Sequence, residues 1–173
     1  DKTDGFWIPE DNSIYYWRPF QENYFSIIKI NEPIQIVEGN QDSMFILTAQ
    51  KQIYVLNKNQ IPNQLETEDA VAITANLPYE VYFHEHSKKL MLGYNNSQLK
   101  VISFGNTIRE TIIPTVGHIS SFNDSYDKER ILITSNLGLF EYNPFEDKLL
   151  HWGDINPNLK QAFYGVIESP NGI

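Results

Sequence analysis

Ile131-Leu132-Ile133-Thr134-Ser135-Asn136-Leu137-Gly138-Leu139-Phe140-Glu141-Tyr142-Asn143-Pro144 reads as two short strands folded back on each other. The first four residues are apolar and mostly β-branched, which suits a pleated, packed surface. Ser135 to Gly138 supply turn residues, and glycine admits backbone angles that other residues resist. Leu139 to Tyr142 form the second strand, and Asn143-Pro144 ends it.

The same pair recurs along the chain. The first strand of the pair is Phe6-Trp7-Ile8, then Met44-Phe45-Ile46-Leu47, Leu90-Met91-Leu92-Gly93 and Ile131-Leu132-Ile133-Thr134. The second is Ser13-Ile14-Tyr15-Tyr16, Gln52-Ile53-Tyr54-Val55, Gln98-Leu99-Lys100-Val101 and Gly138-Leu139-Phe140-Glu141-Tyr142. Trp7, Phe45, Met91 and Leu132 are spaced by 38, 46 and 41 residues; Ile14, Ile53, Leu99 and Leu139 by 39, 46 and 40. Two separate anchors share one irregular series, as a repeat with a single insertion requires, and that insertion falls around Asn63–Pro78. An outer strand is expected after each pair, at Phe25–Ile30, Ile108–Ile112 and Lys148–Trp152. An inner strand is expected before the next pair, at Pro33–Glu38, Glu80–His84, His118–Phe122 and Phe163–Glu168. Four short strands per unit of about 40 residues are the mark of propeller blades. A β-sandwich also turns every 8–12 residues but carries no such self-similar unit.

The expected fold is therefore all-β: a partial β-propeller of about four four-stranded antiparallel blades, part of a larger propeller. The repeats run 1–32, 33–78, 79–116 and 117–153, with the next blade starting at 154–173. No window has an amphipathic helical stripe. Asp1-Lys2-Thr3-Asp4-Gly5 does not read as a signal peptide, and Ser169-Pro170-Asn171-Gly172-Ile173 hands over to a new apolar run, so both ends read as cuts through a longer array. An open arc of blades is expected to associate through its uncovered sheets.

Composition narrows the function. The chain has 173 residues, 41% of them hydrophobic and 13% aromatic, too many for a disordered polymer. It has no cysteine, which removes disulfides, thiolate metal sites and cysteine nucleophiles. A net charge of −9 argues against nucleic acid as a partner, because phosphates call for a basic surface. The acidic clusters Glu66, Glu68, Asp69 and Asp124, Asp127, Glu129 read as solvated loops. No stretch is long and apolar enough to span a bilayer.

Few residues carry chemistry. In His84-Glu85-His86 the alternation of a strand puts both histidines on one face, but a metal needs a third ligand, and the pair reads as a blade edge. His118 and His151 stand alone and read as packing or rim residues. No Ser-His-Asp order, nucleophile elbow or glycine-rich phosphate loop occurs. Glu38, Glu85, Asp124 and Glu168 sit near the ends of inner strands, where the channel of a propeller lyase or glycosidase would recruit carboxylates; acid–base work would need two of them to converge. No catalytic residue, metal or cofactor is expected. Trp7, Tyr15, Tyr16, Trp17, Phe20, Tyr24 and Phe25 crowd the first repeat, mostly as core, and Trp17 with its neighbour Arg18 is the candidate ligand contact.

The stretch 131–144, followed by Lys148-Leu149-Leu150-His151-Trp152 and Val166-Ile167-Glu168-Ser169-Pro170-Asn171-Gly172-Ile173, resembles the repeats of two-component regulator propellers. Gly5-Phe6-Trp7-Ile8-Pro9 with Ser13-Ile14-Tyr15-Tyr16-Trp17 is a looser copy. Such repeats build the periplasmic sensor region of Bacteroidetes hybrid two-component histidine kinases. The resemblance implies a non-catalytic segment of an extracytoplasmic, glycan-responsive receptor, with a membrane helix and a kinase elsewhere in the parent chain. It implies as partners an oligosaccharide, the remaining blades and a second copy of the chain. A propeller scaffold for protein partners is the alternative, although no Trp-Asp pair closes any repeat as in WD-type propellers.

Overall fold

A computed structural model describes residues 6–17, 25–39, 43–57, 64–73, 76–104, 108–114 and 116–169. Sixteen strands are assigned among them. They are β1 (Phe6–Glu10), β2 (Ser13–Trp17), β3 (Phe25–Ile30), β4 (Ile34–Gly39), β5 (Ser43–Thr48), β6 (Gln52–Asn57), β7 (Gln64–Leu65) and β8 (Ala72–Ile73). Then come β9 (Glu80–His84), β10 (Lys89–Gly93), β11 (Gln98–Ser103), β12 (Arg109–Pro114), β13 (Ile119–Asp124), β14 (Ile131–Ser135), β15 (Gly138–Asn143) and β16 (Lys148–His151). Among the described residues helix is confined to one turn, α1 (Trp152–Ile155), and to short 3-10 turns.

The chain divides into two compact units, Asp1–Leu77 and Pro78–Ile173. The first holds two sheets, ordered β1-β2-β3-β7 and β4-β5-β6-β8; the second holds β9 to β12 and β13 to β16, each in chain order. The third and fourth sheets are antiparallel throughout. The first two are three antiparallel strands with a two-residue fourth, and β7 joins β3 in parallel. Both of those short strands come from the insertion in the second repeat, which returns first to Lys29–Ile30 and then to Gln52–Ile53.

Burial explains the repeating apolar runs. Every residue of β14 is buried, as are five of six in β5 and four of five in β10. A strand covered on both faces reads as a continuous apolar run. The outer strands β12 and β16 alternate between exposed and half-buried positions, because only one of their faces is covered. In the second unit Met91, Leu99 and Val101 of the third sheet join Phe122, Ile131, Ile133, Phe140 and Tyr142 of the fourth in one core. Ile14, Ile28, Met44, Ile46 and Tyr54 do the same for the first two sheets. Each fully buried side chain of this kind is worth about 1.5–3 kcal/mol.

Turn chemistry repeats with different residues. Asp11, Lys51 and Ser97 lie within the paired-strand turns at φ of 51°, 69° and 64°, a region that favours glycine. Only the last repeat has a glycine near that place, Gly138 at φ 131°. An alanine Cβ at Gly138 would stand 2.4 Å from the Leu159 carbonyl oxygen, so this glycine also admits a crossing segment.

Several expected boundaries shift. The expected strand Lys148–Trp152 ends at His151, where α1 begins, and Ile108–Ile112 and His118–Phe122 become Arg109–Pro114 and Ile119–Asp124. The expected inner strand Phe163–Glu168 is not a strand. A strand exists through its ladder, and no neighbouring strand among the described residues pairs with this segment.

Candidate functional site

The sequence pointed to Trp17 and Arg18. Trp17 is the last residue of β2, opposite Phe6, and Arg18 lies outside the described residues. The Trp17 side chain likewise lies outside what is described.

A cleft of about 520 Å³ opens beside β15 and β16, lined by Leu137, Phe140, Leu149, His151, Asp154 and Lys160. The extended backbone of β15 and β16 points Phe140 and His151, a registered pair, to one face. Their rings stack at 4.3 Å with 14° between planes. His151 Nε2 lies 3.2 Å from the Leu137 carbonyl oxygen and Nδ1 lies 3.5 Å from Asp154 Oδ1. The Lys160 ammonium reaches the same carboxylate oxygen at 3.2 Å. Helix α1 brings Asp154 round to His151 at i, i+3 spacing. The loop to Lys160 closes over two glycines: a Cβ on Gly153 would meet Lys160 Cγ at 2.5 Å, and one on Gly138 would meet Leu159. The result is an apolar floor with a donor, an acceptor and an imidazole at its rim.

The sequence reading left His151 isolated. It did not single out Asp154 or Lys160, because the contact depends on the path of 152–160. The signal was present in Gly138 and Gly153, the positions at which two backbones approach.

The other singled-out residues lie away from this cleft. β9 ends at His84, and 85–88 form a turn, so His84 and His86 do not share a strand face. The physical reason is the tight return to β10 through Lys88, at φ 53°. His84 is 1% exposed and His86 is exposed, with ring centroids 6.1 Å apart. His84 Nε2 lies 3.0 Å from the Lys128 carbonyl oxygen and Nδ1 lies 2.8 Å from Ser87 Oγ. A carbonyl only accepts, and Ser87 N–H also donates to Nδ1 at 3.3 Å, so the neutral Nε2–H ring satisfies both sides. Burial pushes the imidazole below its ordinary range, against the opposing pull of Asp124. Asp124 accepts from the Tyr82 hydroxyl. Among the described residues no group of three or more His, Asp or Glu is placed to hold a metal.

Of the four carboxylates considered for a channel, Glu85 pairs with Lys88 at 2.8 Å, and Asp124 serves the seam of the third and fourth sheets. Glu168 accepts from Tyr126 N–H at 2.8 Å, and the Glu38 side chain lies outside what is described. His118 is exposed, edge-to-face with Tyr79 at 5.2 Å. Of the acidic clusters, Asp127 pairs with Arg130 at 3.1 Å, and Asp69 accepts from Glu66 N–H at 2.8 Å. No described helix is long and apolar enough to cross a membrane.

No family model matches the chain, and no curated protein matches it. Among solved structures it is similar to Kluyvelomyces marxianus Hsv2, a yeast β-propeller protein, with 9% identity and a TM-score of 0.57. The match covers 86% of this chain and 48% of that one, so the chain spans about half the length of the propeller it resembles. Four sheets in repeating order, almost no helix and this likeness together make the fold all-β and propeller-like.

Proposed function

We propose that this chain is a non-catalytic recognition segment of a propeller receptor, with the cleft at Phe140, His151, Asp154 and Lys160 as its ligand-binding site. The cleft carries the reading: stacked rings floor it and paired opposite charges rim it. A non-catalytic role is supported by what the repeated positions are, apolar side chains that pack and residues that turn. It is supported too by His84, whose two ring nitrogens are both engaged in structural contacts. The finer reading rests on the resemblance of the 131–144 repeat to two-component regulator propellers. It comprises a periplasmic sensor segment in a receptor whose parent is a histidine kinase, answering an oligosaccharide and working with further blades or a second copy.

A scaffold for protein partners is the second reading. It is favoured by large apolar side chains that the second unit leaves in solvent: Tyr126, Phe145, Tyr164 and Ile167 are 63%, 58%, 87% and 85% exposed. Titration of the chain with a panel of neutral oligosaccharides, followed by NMR and by product analysis, separates the readings. Saturable shifts at His151 that disappear in Asp154→Ala, with the sugar recovered intact, support the receptor. New reducing ends mark an enzyme, and an absence of shifts leaves the scaffold.

A further inference from the structure

The third sheet ends at β12, which among the described residues pairs with β11 alone. The corresponding strands of the first unit, β3 and β6, are each joined by a short strand from the insertion, β7 and β8. β16 has four residues and passes directly into α1. Among the described residues β12 is therefore the one outer strand of six residues with nothing paired along it.

The register shows which way its backbone groups point. Tyr94 N–H donates to the Gln98 carbonyl at 3.1 Å, so the backbone groups of Gln98 face β10. Gln98 is paired with Pro114, whose nitrogen and carbonyl then point away from β11. The pairing is regular from Gln98 to Ser103. Alternation therefore turns the N–H and C=O of Ile112 and Glu110 outward too, and leaves Ile113, Thr111 and Arg109 to bond β11. Proline at 114 costs the ladder nothing, as an edge position allows. Among the described residues no acceptor takes the N–H of Glu110 or of Ile112. Ile112 is 56% exposed and Ile108 42%. A bare edge with apolar side chains beside it is a template for another strand.

This edge complements itself. An antiparallel copy placed about a two-fold axis at Thr111 sets Glu110 opposite Ile112 of the second copy, and Ile112 opposite its Glu110. All four free N–H groups then meet the four outward carbonyls of the same residues, and Pro114, which has no N–H, falls outside. An axis at Glu110 would set two carboxylates opposite each other, which destabilises a pair of strands. An axis at Ile112 would set Glu110 against Pro114 and leave two carbonyls without donors. Lys100 holds the Glu110 carboxylate at 2.7 Å within its own copy, so the pairing brings no uncompensated charge to the seam. Such a two-fold contact closes on itself and stops at two copies.

We propose that β12 is a self-association edge, through which two copies of this chain join their third sheets antiparallel at Glu110–Ile112. The contact is small, so the dimer forms and dissociates with concentration. Each copy carries a net charge of −9, so added salt strengthens the dimer by screening the two from each other. The pairing concerns the second copy in the receptor reading but rests on β12 alone.

Sedimentation equilibrium of the whole chain between about 10 µM and about 1 mM, a range suited to small interfaces, measures the dimer. Ile112→Pro removes one outward N–H per copy and keeps every bond to β11. It is expected to raise the dissociation constant about tenfold or more. Ile112→Glu leaves the backbone intact and sets like charges opposite each other, with the same expected effect. In the wild-type chain, hydrogen exchange at the Glu110 and Ile112 amides is expected to slow as concentration rises. A chain that stays monomeric across the range, or a dimer that Ile112→Glu leaves unchanged, overturns the proposal. Protection that grows elsewhere while Glu110 and Ile112 exchange freely overturns it too. A monomer that still binds sugar in the cleft overturns this edge and leaves the receptor reading standing.

Discussion

Replacing His84 by alanine tests whether a single buried ring holds the third sheet to the turn of the fourth. The ring is 1% exposed and bonds the Lys128 carbonyl at 3.0 Å and Ser87 Oγ at 2.8 Å. After truncation Ser87 turns to water at little cost, because it is only half-buried. The Lys128 carbonyl loses its donor inside the seam, a loss of about 1–3 kcal/mol. Removing the ring itself costs roughly another 1–2 kcal/mol, less than a buried phenylalanine would. The sum is about 3 kcal/mol, and for a unit of this size that lowers Tm by about 12 °C or more. His84→Gln keeps a donor for Lys128 and is expected to recover roughly half of the loss. Thermal unfolding followed by near-UV circular dichroism measures both. Acidity supplies a second arm to the test. Burial holds the folded imidazole below its unfolded value of about 6.5, so the unfolded chain binds more protons as pH falls. The stability that neutral His84 contributes is complete above about pH 6.5 and is lost as pH falls through the folded value. The margin of wild type over His84→Gln should therefore narrow between about pH 7.5 and about pH 5. A loss below about 1 kcal/mol for His84→Ala, or a margin that widens on acidification, would refute the seam argument.

Three further outcomes follow from other contacts. Tyr142 is fully buried, with its ionisation pushed far up by burial and by its hydrogen bond to Asp147. Ultraviolet titration of Tyr142→Phe should therefore match wild type until the alkaline unfolding transition. The same variant frees an Asp147 acceptor that Lys89 still holds at 2.6 Å, so its urea midpoint should fall by only about 1 kcal/mol in stability. Gly138→Ala adds a Cβ 2.4 Å from a backbone oxygen, at φ 131°. It should destabilise the second unit by about 2–4 kcal/mol, disturbing the His151 NMR signals first, whereas Gly93→Ala, 3.1 Å from the movable Ile119 side chain, should cost less.

Sequence periodicity alone determined the strands that are buried on both faces. β5, β10 and β14 must be apolar at consecutive positions to be covered twice, so they print themselves on the chain every 40 residues or so. The paired strands after them were legible for the same reason. The turn residues were not, because Asp11, Lys51 and Ser97 adopt in this fold the conformation that sequence reading reserves for glycine. Phe163–Glu168 shows the limit from the other side. Its alternation was strand-like, but a ladder needs a second strand, and sequence cannot say whether one stands alongside. The cleft lay further beyond reach. His151, Asp154 and Lys160 meet because a one-turn helix and two glycines fold the chain back over β15, and nothing local in any of the three predicts it. His84 was singled out as half of a same-face pair at a blade edge. Tertiary packing buried it, gave each nitrogen its own partner and left it neutral, because the end of β9 lies against the 125–130 turn. Local patterning decides which segments are strands; what meets across them is decided by the paths between strands, which carry no period.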